Sequence, residues 1–311
     1  MAIIYELDRL AGMELRQLEH FVAVADELNF TRAAARIHVV QSALSTSIAK
    51  LERELGVALF DRTRQQIRLT PAGERFRTHV QEVRRSVRAA VGSVGEFRET
   101  LSGTVEFGSL ISFGPLNVAR ALGDFHRLHP YVRLRLRLSQ SGASAYLAAL
   151  IEGSLDLALV SVPDRFPPQL DMRLLFEESM VFVCCRDHPM ARRKTVHIAD
   201  LAEEDLVGFP PGFGLRRLVD DAFRAVGADP HTRYEVPAGF AAIAELVGNG
   251  LGAAFMPASE AARFRGLRSV ELSDAVMWQV FLASPSSARM APATVALADL
   301  LVDAAVRARG R

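Results

Sequence analysis

The chain is poor in several residue types that mark common protein classes. Its 311 residues include two cysteines, Cys184 and Cys185, and a single tryptophan, Trp278. Two adjacent cysteines argue against a disulfide framework or a zinc site, because neighbouring strand residues point to opposite faces. We interpret them as small apolar side chains in a reducing cytoplasm. No run reaches the roughly 18 consecutive apolar residues that a membrane-spanning helix needs.

Familiar catalytic motifs are also absent. The sequence contains no G-x-S-x-G elbow, no G-x-x-x-x-G-K phosphate loop and no H-E-x-x-H pair. The glycine-rich residues 248–252 follow a helical pattern and precede a strand, which is typical of a helix stop and turn. We therefore expect no enzyme, no cofactor and no metal site. Only Lys50 and Lys194 are lysines, so 35 of the 37 basic residues are arginines, and arginine content alone is not a sign of DNA binding.

Residues 31–54 predict a short helix, a turn and a second helix with two different faces. Leu44, Ile48, Leu51 and Leu55 recur at steps of four and three, which places them on one buried stripe. The opposite face carries small or polar side chains that suit the DNA major groove. The alternative is an ordinary helical hairpin in a core. The face predicted to meet DNA consists of Gln41, Ser42, Ala43, Ser45 and Thr46.

Positive charge is concentrated around this helix pair. Residues 32–68 contain seven basic and three acidic residues, a net charge of +4, whereas the whole chain carries +1. Residues 60–70 alternate apolar and basic positions, which predicts two short strands joined by a basic tip. A solvated charged face is the alternative. The residues predicted to contact the phosphate backbone are Arg32, Arg36, Lys50, Arg62 and Arg64, and the DNA-binding set also includes Thr31 and Gln65.

A long helix follows, opened by Thr70 as cap and Pro71 at the first helical position. Apolar residues then recur at alternating spacings of four and three, which is typical of a coiled-coil seam between two chains. Packing of the helix on its own domain is the alternative. The predicted dimerisation residues are Phe76, Val80, Val83, Val87, Ala90, Val94 and Phe97.

Together these motifs resemble the LysR-type transcriptional regulators, from residue 13 to the end of the chain. The resemblance is carried by residues 13–18 (MELRQL), 21–25 (FVAVA), 30–34 (FTRAA), 41–45 (QSALS), 59–60 (LF) and 69–73 (LTPAG). It implies a winged helix-turn-helix, a dimerising linker helix and a two-lobed α/β effector domain like that of periplasmic binding proteins. Thr46 and Gln65 stand where the family often has basic residues, and residues 1–12 precede its usual start.

The implied domains follow the chain in order. Residues 13–70 form the DNA-binding domain, residues 71–99 the linker helix, residues 104–163 and 269–311 the first lobe, and residues 164–268 the second. The alternation of predicted strands and helices supports the α/β assignment. A buried strand is predicted at 180–185, and the chain is expected to cross between lobes near 162–165 and again near 267–272.

Effector-binding residues are expected where strands end and helices begin, because helix amino termini favour anions. A carboxylate with an apolar body is the predicted effector. Each serine named here has the alternative of a simple cap or loop residue. The candidates are Ser109, Ile111, Ser112, Ser139, Gln140, Ser141, Ser161, Phe209, Pro211, Phe213, Gly239 and Phe240.

The sequence thus predicts a cytoplasmic, DNA-binding transcriptional regulator controlled by a small molecule bound between the lobes. Its expected partners are double-stranded operator DNA, the effector and further copies of itself, as a homodimer or tetramer. RNA polymerase is a candidate partner, and no membrane is involved. A solute-binding protein and an α/β enzyme with a helical appendage are the competing classes.

Overall fold

The computed structural model describes residues 13–62, 67–95, 100–109, 115–137, 142–161, 166–286 and 290–309. The chain divides into two compact units, Met1–Val87 and Arg88–Arg311, and the division falls within one long helix. The elements that begin in the first unit are α1 (Leu15–Glu27), α2 (Phe30–Arg36), α3 (Gln41–Leu55), β1 (Phe60–Asp61), β2 (Arg68–Leu69) and α4 (Pro71–Gly95).

The core of the first unit is built around Phe21 of α1. Its ring centroid lies 5.3 Å from that of Phe60 and 5.0 Å from that of Phe76. Of the apolar stripe of α3, Leu44, Ile48 and Leu51 are fully buried in this cluster and Leu55 is partly buried. Four helices and the β1–β2 hairpin therefore share one small core, and the periodic spacing of leucines in the sequence positions α3.

The connection from α2 to α3 is a tight turn. Asn29 caps α2, because its side-chain oxygen accepts a hydrogen bond from the amide of Arg32 at 3.0 Å. The helix therefore begins at Phe30, one residue before the range 31–54 in which the sequence predicted the helix pair. His38 lies in the turn with φ +58°, a left-handed conformation that non-glycine residues rarely adopt. Ala33 and Ala34 are buried, which allows α2 to lie close to α1 and α3.

A short hairpin follows α3. Phe60 and Asp61 of β1 pair antiparallel with Leu69 and Arg68 of β2. The tip of this hairpin, residues 63–66, lies outside the described residues. Thr70 then caps α4, since its hydroxyl oxygen accepts a hydrogen bond from the amide of Gly73 at 3.0 Å. This confirms the predicted start of the long helix.

The second unit alternates strands and helices. Its strands are β3 (Gly103–Gly108), β4 (Val132–Arg137), β5 (Leu157–Val160), β6 (Leu170–Cys184), β7 (Thr195–Val196), β8 (Leu206–Gly208), β9 (Thr232–Glu235), β10 (Ala254–Pro257), β11 (Arg268–Leu272) and β12 (Met277–Pro285). Its helices are α5 (Val118–Leu128), α6 (Ala143–Ile151), α7 (Gly214–Ala225), α8 (Phe240–Gly248), α9 (Ala258–Ala261) and α10 (Pro292–Arg309). Two short 3₁₀ turns, Pro189–Arg192 and Ile198–Leu201, lie in the same unit.

One strand, β6, joins two sheets. Its residues 170–179 pair with β12, while residues 180–184 pair with β10 along one edge and β11 along the other. The strand order through the large sheet is β4-β3-β5-β12-β6-β11-β7. We call β3, β4, β5 and β12, with α5, α6 and α10, the first lobe. The second lobe consists of β7 to β11 with α7, α8 and α9.

The chain passes from the first lobe to the second within β6 and returns between β11 and β12. The strand predicted at 180–185 begins ten residues earlier, at Leu170, and its first ten residues pair within the first lobe. Arg268–Leu272, predicted as the return crossing, is a strand of the second lobe, so the return falls between β11 and β12. The other predicted crossing, 162–165, lies outside the described residues.

Candidate nucleic-acid interface and ligand cleft

Helix α3 presents the predicted polar face to solvent. Gln41, Ser42, Ala43 and Thr46 are exposed and Ser45 is partly exposed, while the opposite stripe is buried. The helix ends at Gly56, whose left-handed backbone (φ +70°) closes the last turn. A helix anchored along one side offers the other as a rigid surface of small polar groups. Such a surface matches the width and hydrogen-bonding pattern of the major groove.

Each predicted phosphate-binding cation of the described helices already has an acidic neighbour. Arg32 lies 3.4 Å from a carboxylate oxygen of Glu27, and Arg36 lies 3.1 Å from one of Asp26. Lys50 lies 3.7 Å from Glu54, one helical turn further along α3. These pairs are exposed, so each contributes little stability and can be exchanged for a phosphate.

Arg62 is held more firmly than the other cations. Its guanidinium group lies 5.0 Å from the ring centroid of Phe30 and 2.9 Å from Oε2 of Glu52. Oε1 of Glu52 also accepts hydrogen bonds from the amides of Leu59 and Phe60, at 2.8 and 3.1 Å. A single carboxylate therefore links α3 to the base of the hairpin and orients Arg62. Arg64 and Gln65, predicted at the hairpin tip, lie outside the described residues.

In the second unit, a cleft opens between the two lobes. It encloses about 450 Å³, its solvent-open mouth included. Strand ends, helix starts and aromatic rings line it, and the lining is mainly apolar. The lining residues are Gly142, Ala143, Tyr146, Leu159, Val160, Ser161, Phe209, Phe213, Gly214, Leu215 and Trp278.

Two glycines allow the lobes to touch across this cleft. A Cβ atom on Gly142 of the first lobe would lie 2.4 Å from the carbonyl oxygen of Gly212 in the second. A Cβ atom on Gly214 of the second lobe would lie 1.8 Å from the carbonyl oxygen of Ser161 in the first. At both contacts the backbone of one lobe therefore packs against the backbone of the other, and no residue larger than glycine fits at either position.

An aromatic cluster forms the wall of the cleft. The rings of Phe209 and Phe213 stack with centroids 5.2 Å apart, and Phe240 meets Phe209 edge-on at 5.5 Å. Trp278 lies 6.4 Å from Phe240, centroid to centroid, and is 2% exposed. From the first lobe, Tyr146 donates a hydrogen bond to the carbonyl oxygen of Arg137 at 3.1 Å. The wall of the cleft is therefore aromatic and apolar.

Two helices begin at the cleft, one from each lobe. α6 starts at Ala143 and α7 at Gly214, and both residues line the cleft. Among the described residues, no side chain caps either helix. Helix amino termini carry partial positive charge and point amide groups outward, so an anionic group is favoured between them.

The structure brings together only part of the predicted effector set. Ser161, Phe209 and Phe213 line the cleft, and Phe240 packs behind Phe209. Outside the lining lie Ser109, which is buried with its amide donating to the carbonyl of Arg137, and also Pro211 and Gly239. The candidates outside the described residues are Ile111, Ser112, Ser139, Gln140 and Ser141.

The sequence reasoning missed two aromatic residues of the cleft, Tyr146 and Trp278. Both belong to regular elements, α6 and β12, where an apolar residue is usually interpreted as core. Tyr146 on α6 lies four residues after Gly142, and this proximity to a helix start was the available signal.

Comparison with known proteins decides the family. Residues 15–74 match the family described as "Bacterial regulatory helix-turn-helix protein, lysR family", and residues 98–306 match "LysR substrate binding domain". The chain belongs to the LysR family of transcriptional regulators. This LysR-type regulator has a helix-turn-helix for DNA and a domain for a small-molecule effector, as the sequence predicted.

The LysR-type regulator has relatives of similar length. It is 34% identical over 248 residues to the transcriptional dual regulator GltC of Bacillus subtilis, covering 79% of this chain and 81% of that protein. A full-length OxyR variant from Pseudomonas aeruginosa has the same fold, with a TM-score of 0.70, 24% identity and 94% of each chain covered. Full-length CbnR complexed with target DNA gives a TM-score of 0.63 at 24% identity, covering 95% of this chain and all of that one.

Helix α4 of the LysR-type regulator uses its apolar residues in two ways. Phe76 and Val80 pack into the core of the first unit, whereas the sequence predicted that they would lie between two subunits. Val83 and Val87 are exposed, at 41% and 36%, and Ala90 is exposed as well. Val91, not predicted, is also exposed. The side chains of Val94 and Phe97 lie outside the described part of the chain.

The two cysteines lie at the end of β6, apart from the cleft lining. Burial, with smaller contributions from the neighbouring Cys185 and Glu204, raises the pKa of the Cys184 thiol to about 11. Thiolate chemistry is disfavoured at this position, because the charged form would be desolvated. Within the described residues, no group of three histidine, cysteine or acidic residues is arranged to hold a metal ion. No described helix is both long and apolar enough to span a membrane.

Proposed function

We propose that this LysR-type regulator reads duplex DNA with α3, laid in the major groove. The exposed side chains of Gln41, Ser42 and Thr46, with the partly exposed Ser45, support this role, because the opposite stripe packs in the core. Arg32, Arg36, Lys50 and Arg62 contact phosphates along the groove edges, exchanging their carboxylate partners for DNA. The solved complex of CbnR with its target DNA has a fold of this kind, which supports the assignment.

The phosphate role is tested by salt dependence. Replacing Arg62 with alanine should weaken binding to specific and non-specific duplexes alike and lower the slope of log affinity against log salt by about one. Arg193→Ala is the matched control, since this exposed arginine also pairs with an acid but lies in the second lobe. Fluorescence anisotropy on one labelled duplex over a salt series measures both. An Arg62→Ala variant with an unchanged slope and altered base preference would contradict the assignment.

The effector we propose is a small carboxylate with a flat apolar body, bound between the lobes. The observation that carries this is the meeting of the α6 and α7 amino termini in an aromatic cleft. The carboxylate lies at the helix starts, and the apolar body contacts the rings of Phe213 and Trp278. Binding favours one angle between the lobes, which changes the geometry of the assembly on DNA.

The proposed effector class is tested with pairs of compounds that differ in charge alone. Phenylacetate and phenylacetamide form one pair, and 4-methylbenzoate with its amide forms another. Trp278 is the single tryptophan and lines the cleft, so its emission reports occupancy without a label. We expect the carboxylates to change this emission and the amides to leave it unaltered. Equal responses within each pair would count against an anion site.

We further propose a homodimer formed through the exposed part of α4, assembling to a tetramer on DNA. Val83 and Val87 are exposed one helical turn apart, and neither belongs to the core of the first unit among the described residues. Ala90 continues the same spacing and is exposed. The regulator acts in the cytoplasm, with RNA polymerase as a candidate further partner. No catalytic role belongs to this assignment.

A further inference from the structure

An exposed valine occupies the N-cap position of α3. Val40 is the N-cap residue of α3 and is 68% exposed. Serine, threonine, asparagine and aspartate are favoured at such positions because their side chains accept a hydrogen bond from the first turn. Val40 supplies no such bond. The position therefore carries a residue that is poor both as a helix cap and as a solvent-facing side chain.

Neighbouring exposed apolar residues of the first unit have a local structural reason. Leu28 is the left-handed C-cap of α1, and its amide donates to the carbonyl of Val24. Val57 follows the left-handed Gly56, and its amide donates to the carbonyl of Glu52, where apolar residues commonly close a helix end. Val40 starts a helix rather than ending one, so neither reason applies to it.

The exposed residues around Val40 are of the kinds that contact base edges in the major groove. Ala43 lies one turn further along the helix and is exposed, and Gln41 beside it is exposed as well. The amino-terminal residues of a recognition helix contact base edges. Among the groups that base pairs present in the major groove, the C5 methyl of thymine is the apolar one, and small apolar side chains contact it.

We propose that Val40, together with Ala43, contacts the C5 methyl group of a thymine and makes the regulator prefer thymine at that step. The proposal rests on the assignment of α3 as the recognition helix. It gives a reason for the missing cap, because a residue that departs from local preference is expected where function requires it. Val40 therefore determines sequence specificity beside the polar face of α3.

The test compares thymine with uracil, since deoxyuridine lacks only the methyl group. A duplex is first enriched from a random library by binding to the full-length wild-type protein. Each thymine of the enriched duplex is then replaced singly by deoxyuridine, and the dissociation constants are measured. We expect about a fourfold loss of affinity at one thymine per half-site, the effect of one buried methyl group. A duplex whose deoxyuridine variants all bind equally would overturn the proposal.

The variants assign the effect to the residue. Val40→Ala should bind the thymine duplex more weakly and should show no further loss with deoxyuridine at the responsive position. Val40→Thr, which keeps one methyl group and can cap α3, should show an intermediate difference and guards against misfolding. Val57→Ala is the matched control, an exposed valine at the far end of the helix, and should retain the full difference.

Two further outcomes are separable. If Val40→Ala keeps the wild-type loss at every position, another residue contacts the methyl group and the proposal is wrong. If Gln41→Ala leaves affinity for the enriched duplex unchanged, or no duplex is enriched, the recognition-helix assignment itself is overturned, and the role of Val40 with it.

Discussion

Replacing Gly214 with alanine should open the ligand cleft. A Cβ atom at this position would lie 1.8 Å from the carbonyl oxygen of Ser161, whereas real Cβ contacts are essentially never below 3.0 Å. The two backbones must therefore separate by about 1.2 Å, the difference between these distances. Gly214 is the first residue of α7, where alanine is otherwise the better helix former. Any destabilisation would consequently come from the contact between the lobes.

The energetic cost follows from the same distance. Forcing extra atoms into a packed contact typically costs about 1–3 kcal/mol. For a unit of this size, each kcal/mol lowers the melting temperature by roughly 2–4 °C. The cost should fall on the effector-binding unit, because Gly214 and Ser161 both belong to it.

Tryptophan fluorescence measures the opening directly. Trp278 lines the cleft and is 2% exposed, so separation of the lobes should shift its emission to the red and increase quenching by acrylamide. Gly266→Ala is the matched control, because a Cβ atom there meets nothing within 4 Å. A folded Gly214→Ala protein with wild-type emission, quenching and melting temperature would refute the argument that this glycine sets the closure of the cleft.

Three further predictions concern single side chains. Val83→Asp should convert the dimer to a monomer, because a charge would lie in the exposed apolar stripe of α4, and sedimentation velocity measures this. Glu52→Ala should lower the free energy of unfolding of the first unit by about 1–3 kcal/mol, since the amides of Leu59 and Phe60 lose their acceptor; thermal denaturation measures it. Burial raises the pKa of Glu178 above its ordinary value of 4.5, and nearby Glu260 raises it further, outweighing the hydrogen bonds from Ser259. The folded state thus binds more protons, and the stability that Glu178 contributes at low pH is lost as the pH rises from 4.5 through the raised pKa. Glu178→Gln should therefore gain melting temperature relative to wild type over that range.

Each of these predictions has a matched control. Val226→Asp alters a valine of similar exposure, 39%, in the second lobe and should leave the dimer intact. Glu82→Ala removes an exposed contact to the side chain of His79 in the same unit and should cost less than about 1 kcal/mol. Glu177→Gln changes the exposed neighbour of Glu178 and should not alter the pH dependence. A control that behaves as its partner variant would show that the named contact is not responsible.

Local patterns in the sequence predicted the first unit well, because its elements bury their residues at a fixed period. The stripe of α3 and the cap at Thr70 both depend on residues only three or four positions apart. Phe76 and Val80 have the same spacing as the exposed valines that follow. Periodicity alone does not say whether the chain's own core or a second chain covers a position.

The second unit was less predictable because its contacts join distant segments. The first ten residues of β6 mix charged and apolar side chains, and their partner β12 lies about a hundred residues away. No local run of apolar residues marks them as a strand. The cleft depends on the same long-range pairing, since Tyr146 and Trp278 become neighbours of Phe213 only when both lobes have formed.

The continuity of β6 restricts how this regulator can be recombined with its relatives. Side chains alternate between the two faces of a strand, so one inserted or deleted residue near Ser179 would invert every later position of β6. Val181 and Val183 would exchange faces with Phe182 and Cys184, all of which are buried. The sensing half of a relative cannot therefore be grafted at an arbitrary junction. A chimera must preserve the residue count along β6 and its alignment with β12, because both lobes pair with this one strand and take their register from it.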